Sequence, residues 1–275
     1  TDFTMRKAEW ITLVAFSFFL VASWLRPLTR RRRMAIAAIG AIGILLITAM
    51  QFTEELPLRT AVSIVRDWLP AVLMPMVYWQ AGWFSGRVNM SFQRHLQQLD
   101  RKLLSGWMSI LARPGYRWIV ILLELAYLSC YVLVPMGLAV LYLAGLQRHA
   151  DDYWSVTLLS TYPCYAFTAF VPTNPPRTFE IRSDDTATGQ IRRFNMWIVR
   201  WFSIQLNTFP SAHVTATLGG SLALLYFMPT IGLLFVLVSI GIALGAVFGR
   251  YHYAADVVVA ALLTVAVFTL ELAMS

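Results

Sequence analysis

The chain has 275 residues, of which 58% are hydrophobic and only 13% charged, and its mean hydropathy is +0.63. A soluble chain coats its surface with about twice that share of charge. A secreted enzyme, a disordered regulator and a nucleic-acid-binding domain are therefore excluded, and an all-α, polytopic membrane protein is expected. The net charge of +8 is read by position, because Lys and Arg collect in loops beside anionic headgroups.

A hydrocarbon core about 30 Å thick needs roughly 20 apolar residues per helix. Eight segments qualify: 10–25, 34–52, 62–84, 117–146, 153–170, 212–228, 231–249 and 253–273. The first ends in Arg26 and the run Arg30–Arg33 with no small-residue cleavage site, so it reads as a retained span and not a signal peptide. Next, 85–116 sets Phe92, Leu96, Leu99 and Leu103 against Arg94, Arg101 and Lys102. That spacing predicts an amphipathic helix in the headgroup plane, a structural collar. The fourth span is long and contains Pro135, so a tilt or a kink is expected. It also holds Glu124, which either pairs with Arg66 or lines a substrate cavity. Cys130 and Cys164 lie in apolar stretches and read as buried free thiols. The connection 171–209 opens on Pro172-Thr173-Asn174-Pro175-Pro176-Arg177, passes Asp184 and Asp185, and ends in an Arg- and Trp-rich stretch, 192–201.

With eight spans, alternate connections share a side. All but five of the 22 Lys and Arg residues fall on the side of 26–33, 85–116, 171–209 and Arg250; the five are Arg6, Lys7, Arg59, Arg66 and Arg148. The bias predicts that the first side is cytoplasmic.

Two of the four histidines stand at helix entrances on that same side. His252 and Asp256 are four residues apart and share a helical face. A carboxylate there accepts one ring N–H and leaves the other nitrogen as an oriented lone pair, as in an activated nucleophile. An interfacial pair anchoring the helix end fits the same spacing. Pro210 and Ser211 suit a helix N-terminus, where backbone N–H groups favour an anion, and His213 adds a proton donor. Arg177 and Arg250 offer forked donors that match phosphate oxygens, although an isolated arginine also serves as a headgroup contact. Small residues repeat at Gly241, Gly245 and Gly249 and at Ser211, Thr215 and Gly219. Such stripes permit close helix approach, which would bring His213 and His252 together.

Pro210-Ser211-Ala212-His213 followed by His252-Tyr253-Ala254-Ala255-Asp256 resembles the last two motifs of the type 2 phosphatidic acid phosphatase superfamily. Pro172–Arg177 resembles the first motif of its inositol phosphorylceramide synthase branch, and His-Tyr-x-x-Asp is similar to that of the sphingomyelin synthases. The resemblance covers roughly 150–275. It implies two N-terminal transmembrane helices over 1–60 and a six-helix phosphatase-type catalytic domain over 61–275, with motifs in 172–177, 210–213 and 250–256. It further implies a phosphohistidine on His252 oriented by Asp256, with His213 as general acid and base. Arg177, Ser211 and Arg250 would bind phosphate, and no metal or cofactor is implied. The partner would be a membrane lipid with a phosphate-containing headgroup, with no nucleic acid involved. Ala212 stands where the phosphatase pattern has Gly, and Ala246 where it has Arg; these departures favour the phosphotransferase branch. Two rival readings are an anion or lipid transporter using Arg177 and Arg250, and a metal site of His213, His252 and Asp256.

Overall fold

The computed structural model describes residues 5–52, 59–111, 113–179 and 189–274; Asp184 and Asp185 lie outside them. Eleven α-helices make up the described fold: α1 (Lys7–Leu25), α2 (Arg30–Phe52), α3 (Arg59–Gly82), α4 (Met90–Leu111), α5 (Arg117–Leu128), α6 (Cys130–Leu143), α7 (Ala150–Phe170), α8 (Gly189–Phe202), α9 (Ala212–Phe227), α10 (Pro229–Phe248) and α11 (Ala254–Met274). Among the described residues the one β-type pairing is an isolated bridge between Thr173 and Asn207. The chain is an all-α membrane bundle.

Five helices, α1, α2, α3, α10 and α11, are each long and apolar enough to cross a membrane. The pair α5 and α6, bent by 56°, is together long and apolar enough for a sixth crossing or a re-entrant loop. The break falls at Ser129, whose N–H bonds to the carbonyls of Leu125 and Ala126, and not at Pro135, which sits inside α6.

The remaining two expected spans differ from simple lipid-facing helices. α9 is apolar but has only 16 residues. α7 is the central helix, with 14 of its 21 residues buried, so protein rather than lipid surrounds it. That explains how it carries a row of hydroxyls. Ser155, Thr157, Ser160, Thr161 and Thr168 each donate to the carbonyl four residues back, at 2.7–2.8 Å, and need no water.

The two small-residue stripes do not meet each other. Gly241 approaches Ala126, and a side chain at Gly245 would strike the Leu123 carbonyl, so the α10 stripe packs on α5. On α9, a Cβ at Gly219 would lie 3.3 Å from the Thr157 Cα, and Thr215 Oγ1 bonds to Thr161 at 3.4 Å, so that stripe packs on α7. Helices α9 and α10 join elsewhere, through Ser221 and Ser239 at 2.8 Å.

Helix α4 has the expected amphipathicity but a different orientation. Gln93, Leu96, Asp100 and Leu104 face the protein, while Leu99 (46% exposed) and Leu103 (59%) point outward. Its inner face is thus partly polar, and its outer apolar residues are left for lipid.

At the opposite end, Arg66 closes on Glu9 with two bonds of 2.7 Å, and Gln51 adds a third at 3.1 Å. Arg66 therefore does not pair with Glu124, which lies toward the other face. Beside it Asp67 accepts from Arg6 and from Tyr142. Lys7 reaches Asp151 and Asp152 at the start of α7. These contacts fasten the N-terminal helices onto the core.

Candidate active site

The sequence of 249–256 builds the centre of the site. α10 ends at Phe248, and the N–H groups of Tyr251 and His252 both bond the Ala246 carbonyl at 2.9 Å. Four successive side chains are then held by four different elements. Arg250 Nη1 donates to Asp100 of α4 at 2.7 Å, and Tyr251 OH donates to Glu124 of α5 at 2.7 Å. His252 Nδ1 lies 3.3 Å from Asp256 of α11, and Tyr253 OH donates to the Asn174 carbonyl at 3.0 Å. Arg250 adopts a left-handed φ of 63°, a conformation costing about 1–3 kcal/mol for a bulky residue. Its buried ion pair with Asp100 offsets that cost and fixes the turn.

Asp100 does two jobs. Its second oxygen accepts the Ala254 N–H at 2.8 Å, capping the first turn of α11. Asp256 likewise accepts the Tyr253 N–H at 2.8 Å, so its carboxylate is oriented before it meets His252. The second histidine arrives through the backbone: Ser211 N–H donates to the Asp256 carbonyl at 3.0 Å, hooking the start of α9 onto α11. His213 then stands edge-on to His252, with ring centroids 5.9 Å apart.

Arg177 completes the group. Its backbone N–H bonds the Arg250 carbonyl at 3.0 Å and its Nη1 the Tyr251 carbonyl at 3.3 Å, with the guanidinium 5.9 Å from the Tyr251 ring. Among the described residues no carboxylate lies within ion-pair distance of it. Burial and the nearby Arg177 charge push the His252 pKa down to about 3, against an opposing backbone contact from Thr208, so its imidazole is neutral at pH 7.

A cavity of about 560 Å³ adjoins this group. Arg177, His213 and His252 are at its polar end; Tyr78, Tyr131, Trp154 and Tyr165 are among its walls. Tyr127 stacks on Tyr251 at 3.8 Å and meets His213 edge-on at 5.7 Å, which fixes both rings. A neutral imidazole with a hydrogen-bonded Nδ1, a second imidazole, and a desolvated guanidinium can together attack, protonate and neutralise a phosphoryl group.

The structure thus brings His213, His252, Asp256 and Arg177 together. Arg250 and Ser211 are adjacent but outside the cavity lining: Arg250 is turned to Asp100, and Ser211 is fully buried with its Oγ lacking a hydrogen-bond partner among the described residues. Asp100 was not legible as a site residue. The available signal was a lone acid among Arg94, Arg101 and Lys102, on the stripe Gln93, Leu96, Asp100, Leu104. Glu124 accepts from Arg192 (2.7 Å), Asn195 (2.8 Å) and Tyr251, so it braces the motif from outside the cavity. Among the described residues no group of three or more His, Cys, Asp or Glu is arranged to hold a metal ion, and both cysteines are free and buried.

No curated protein and no solved structure matches the chain. A family model described as the PAP2 superfamily matches residues 94–270, spanning α4 to α11 and every element that holds the two histidines. With membrane-crossing helices and a phosphatase-type phosphoryl-transfer fold, the chain belongs to the PAP2 superfamily.

Proposed function

We propose that the chain transfers the phosphoryl group of a membrane lipid, a lipid phosphate or a phosphodiester headgroup, through a phosphohistidine on His252. The observation that carries this reading is the position of His252, His213 and Arg177 at the polar end of an apolar, aromatic-walled cavity. That shape suits an amphiphile whose head is charged and whose tail is not.

Asp256 holds the proton on His252 Nδ1, leaving the Nε2 lone pair to attack phosphorus. The P–N bond forms as the P–O bond to the lipid alkoxide breaks; His213, protonated to the imidazolium beside the bound anionic headgroup, delivers a proton to that oxygen and is left neutral. His213 then takes a proton from the acceptor hydroxyl, whose oxygen attacks phosphorus and releases His252. Arg177 neutralises the charge that builds on the non-bridging oxygens. Arg250 contributes by fixing the turn; Ser211 does so through its backbone.

The acceptor is water in a phosphatase and an alcohol in a phosphotransferase. The apolar walls exclude water, which favours a lipid alcohol and agrees with the resemblance to the inositol phosphorylceramide synthase branch. The Lys and Arg bias supports a cytoplasmic site.

The test uses purified protein in detergent with labelled lipid phosphates and phosphodiester lipids, following free phosphate, transferred headgroup and acid-labile label on the protein. Label on wild type that is absent in His252→Ala supports the mechanism. Phosphate release identifies a hydrolase, and headgroup transfer a phosphotransferase. Equal turnover in wild type and His252→Ala sinks the reading, and no turnover of any lipid in the panel favours an anion-binding transporter.

A further inference from the structure

Helix α8 has three faces, which follow from 100° of rotation per residue. Asn195 and Val199 are buried against the core, with Asn195 donating to Glu124. Phe194, Trp197, Trp201 and Phe202 form a second face, each more than half exposed. Arg192, Arg193, Met196 and Arg200 form the third, and with Trp197 and Gln205 they line a groove of about 600 Å³. Trp197 belongs both to this groove and to the wall of the catalytic cavity.

We propose that the α8 groove binds the phosphate of an anionic phospholipid that is not the reacting molecule, at the rim of the catalytic cavity. Arg192 is engaged by Glu124 and by the Gly249 carbonyl, at 2.7 and 3.0 Å. Arg193 and Arg200 are the exposed pair, one helical turn either side of Met196 and Trp197. Forked guanidinium groups match phosphate oxygens with two parallel bonds. The aromatic face selects a lipid over a soluble anion. Indole and phenyl rings sit at the boundary between headgroups and chains, so α8 lies with its aromatic face in the chains and its arginines at phosphate level. A soluble phosphate ester would leave four large rings exposed to water. The site is separate from Arg177 and the histidines, and it requires only that the chain sits in a bilayer, not that it turns over a substrate.

The experiment reads binding directly. The full chain is placed in phosphatidylcholine nanodiscs containing a small fraction of chain-brominated phosphatidylglycerol or, in parallel, chain-brominated phosphatidylcholine. Quenching of tryptophan fluorescence is titrated, and the contribution of α8 is isolated by difference from a Trp197→Phe/Trp201→Phe variant. Wild type is expected to prefer the anionic lipid, and Arg193→Gln/Arg200→Gln to lose about 30-fold of that preference. If that variant does not fold, wild type in about 1 M salt, where the screening length is about 3 Å, must lose the preference as well. Equal quenching by both lipids, or a preference that survives both changes, overturns the proposal. Loss of the preference on adding millimolar glycerol phosphate assigns the groove to a free anion and also overturns it. A chain that binds the anionic lipid yet transfers no phosphoryl group would sink the catalytic reading and leave this one standing.

Discussion

At one end of the bundle Glu9, Arg66 and Gln51 close on one another beside Asp67, Arg6 and Tyr142; at the other, Asp100, Arg250, Glu124, Arg192, His252 and Asp256 surround a single turn of chain. Both clusters are buried and charged, and the second contributes His252 to the lining of the 560 Å³ cavity. In the first, the cation meets its carboxylate through two bonds, and the result is a fastener between α1, α2 and α3. In the second, the carboxylates hold side chains and N–H groups of 250–254, and the cation that reaches the cavity, Arg177, has no carboxylate partner among the described residues. A buried ionic cluster that closes on itself ties helices together; one that leaves a cation and two imidazoles facing empty space is built for a ligand.

The largest expected effect separates the two ends. His252→Gln should lower phosphoryl transfer by more than about 10⁴-fold while the melting temperature in detergent stays near wild type. Retained activity would put the catalytic centre elsewhere. The converse change, Glu9→Gln, breaks a buried pair and should cost about 3–5 kcal/mol of stability, with turnover per folded molecule unchanged. A selective loss of turnover there would abolish the contrast. Asp100→Asn keeps an oxygen for the Ala254 N–H but weakens the hold on Arg250. It should reduce the rate about 10- to 100-fold, as for other groups that orient a reacting side chain, with the Michaelis constant little altered. Partial rescue by Asp100→Glu would mark a positioning role.

Two smaller effects sharpen the picture. Tyr251→Phe removes one donor from Glu124 and should destabilise by about 1–3 kcal/mol in chemical denaturation. The His252 pKa, lowered in the fold, makes the unfolded chain bind more protons between about pH 6.5 and 3. Stability should therefore be fully expressed above pH 6.5 and fall as the pH drops through that window. Melting temperatures from pH 7 to 4 should show a shallower fall in His252→Gln; identical slopes would mean that His252 titrates in the fold as it does in the unfolded chain.

The histidines, Asp256 and Arg177 were legible because their chemistry is concentrated in short motifs next to apolar runs. Asp100 was not, because its partners Arg250 and Ala254 lie 150 and 154 residues away. On its own helix it reads as one more charge on a solvated face. The same distance problem affected Glu124, whose two possible roles were left open when its true partners, Arg192 and Asn195, looked like part of a basic loop. Hydropathy found all the apolar segments, but it does not say which neighbour a small-residue stripe faces. The stripes of α9 and α10 were expected to permit the close approach that brings His213 and His252 together; they pack on α7 and α5. The bend of the fourth span falls at Ser129, six residues before Pro135, a position that composition alone does not mark.

The polar character of α7 has a consequence for how the protein is made. A helix that starts with Asp151 and Asp152 and carries five Ser and Thr and three Tyr hydroxyls along its length is expected to partition poorly into lipid by itself. It becomes stable in the bilayer only when α1 and α3, synthesised before it, and α9, synthesised after it, shield its sides. The N-terminal helices are therefore expected to serve as a docking platform during insertion, with the Lys7 N–H meeting Asp151 where α7 begins.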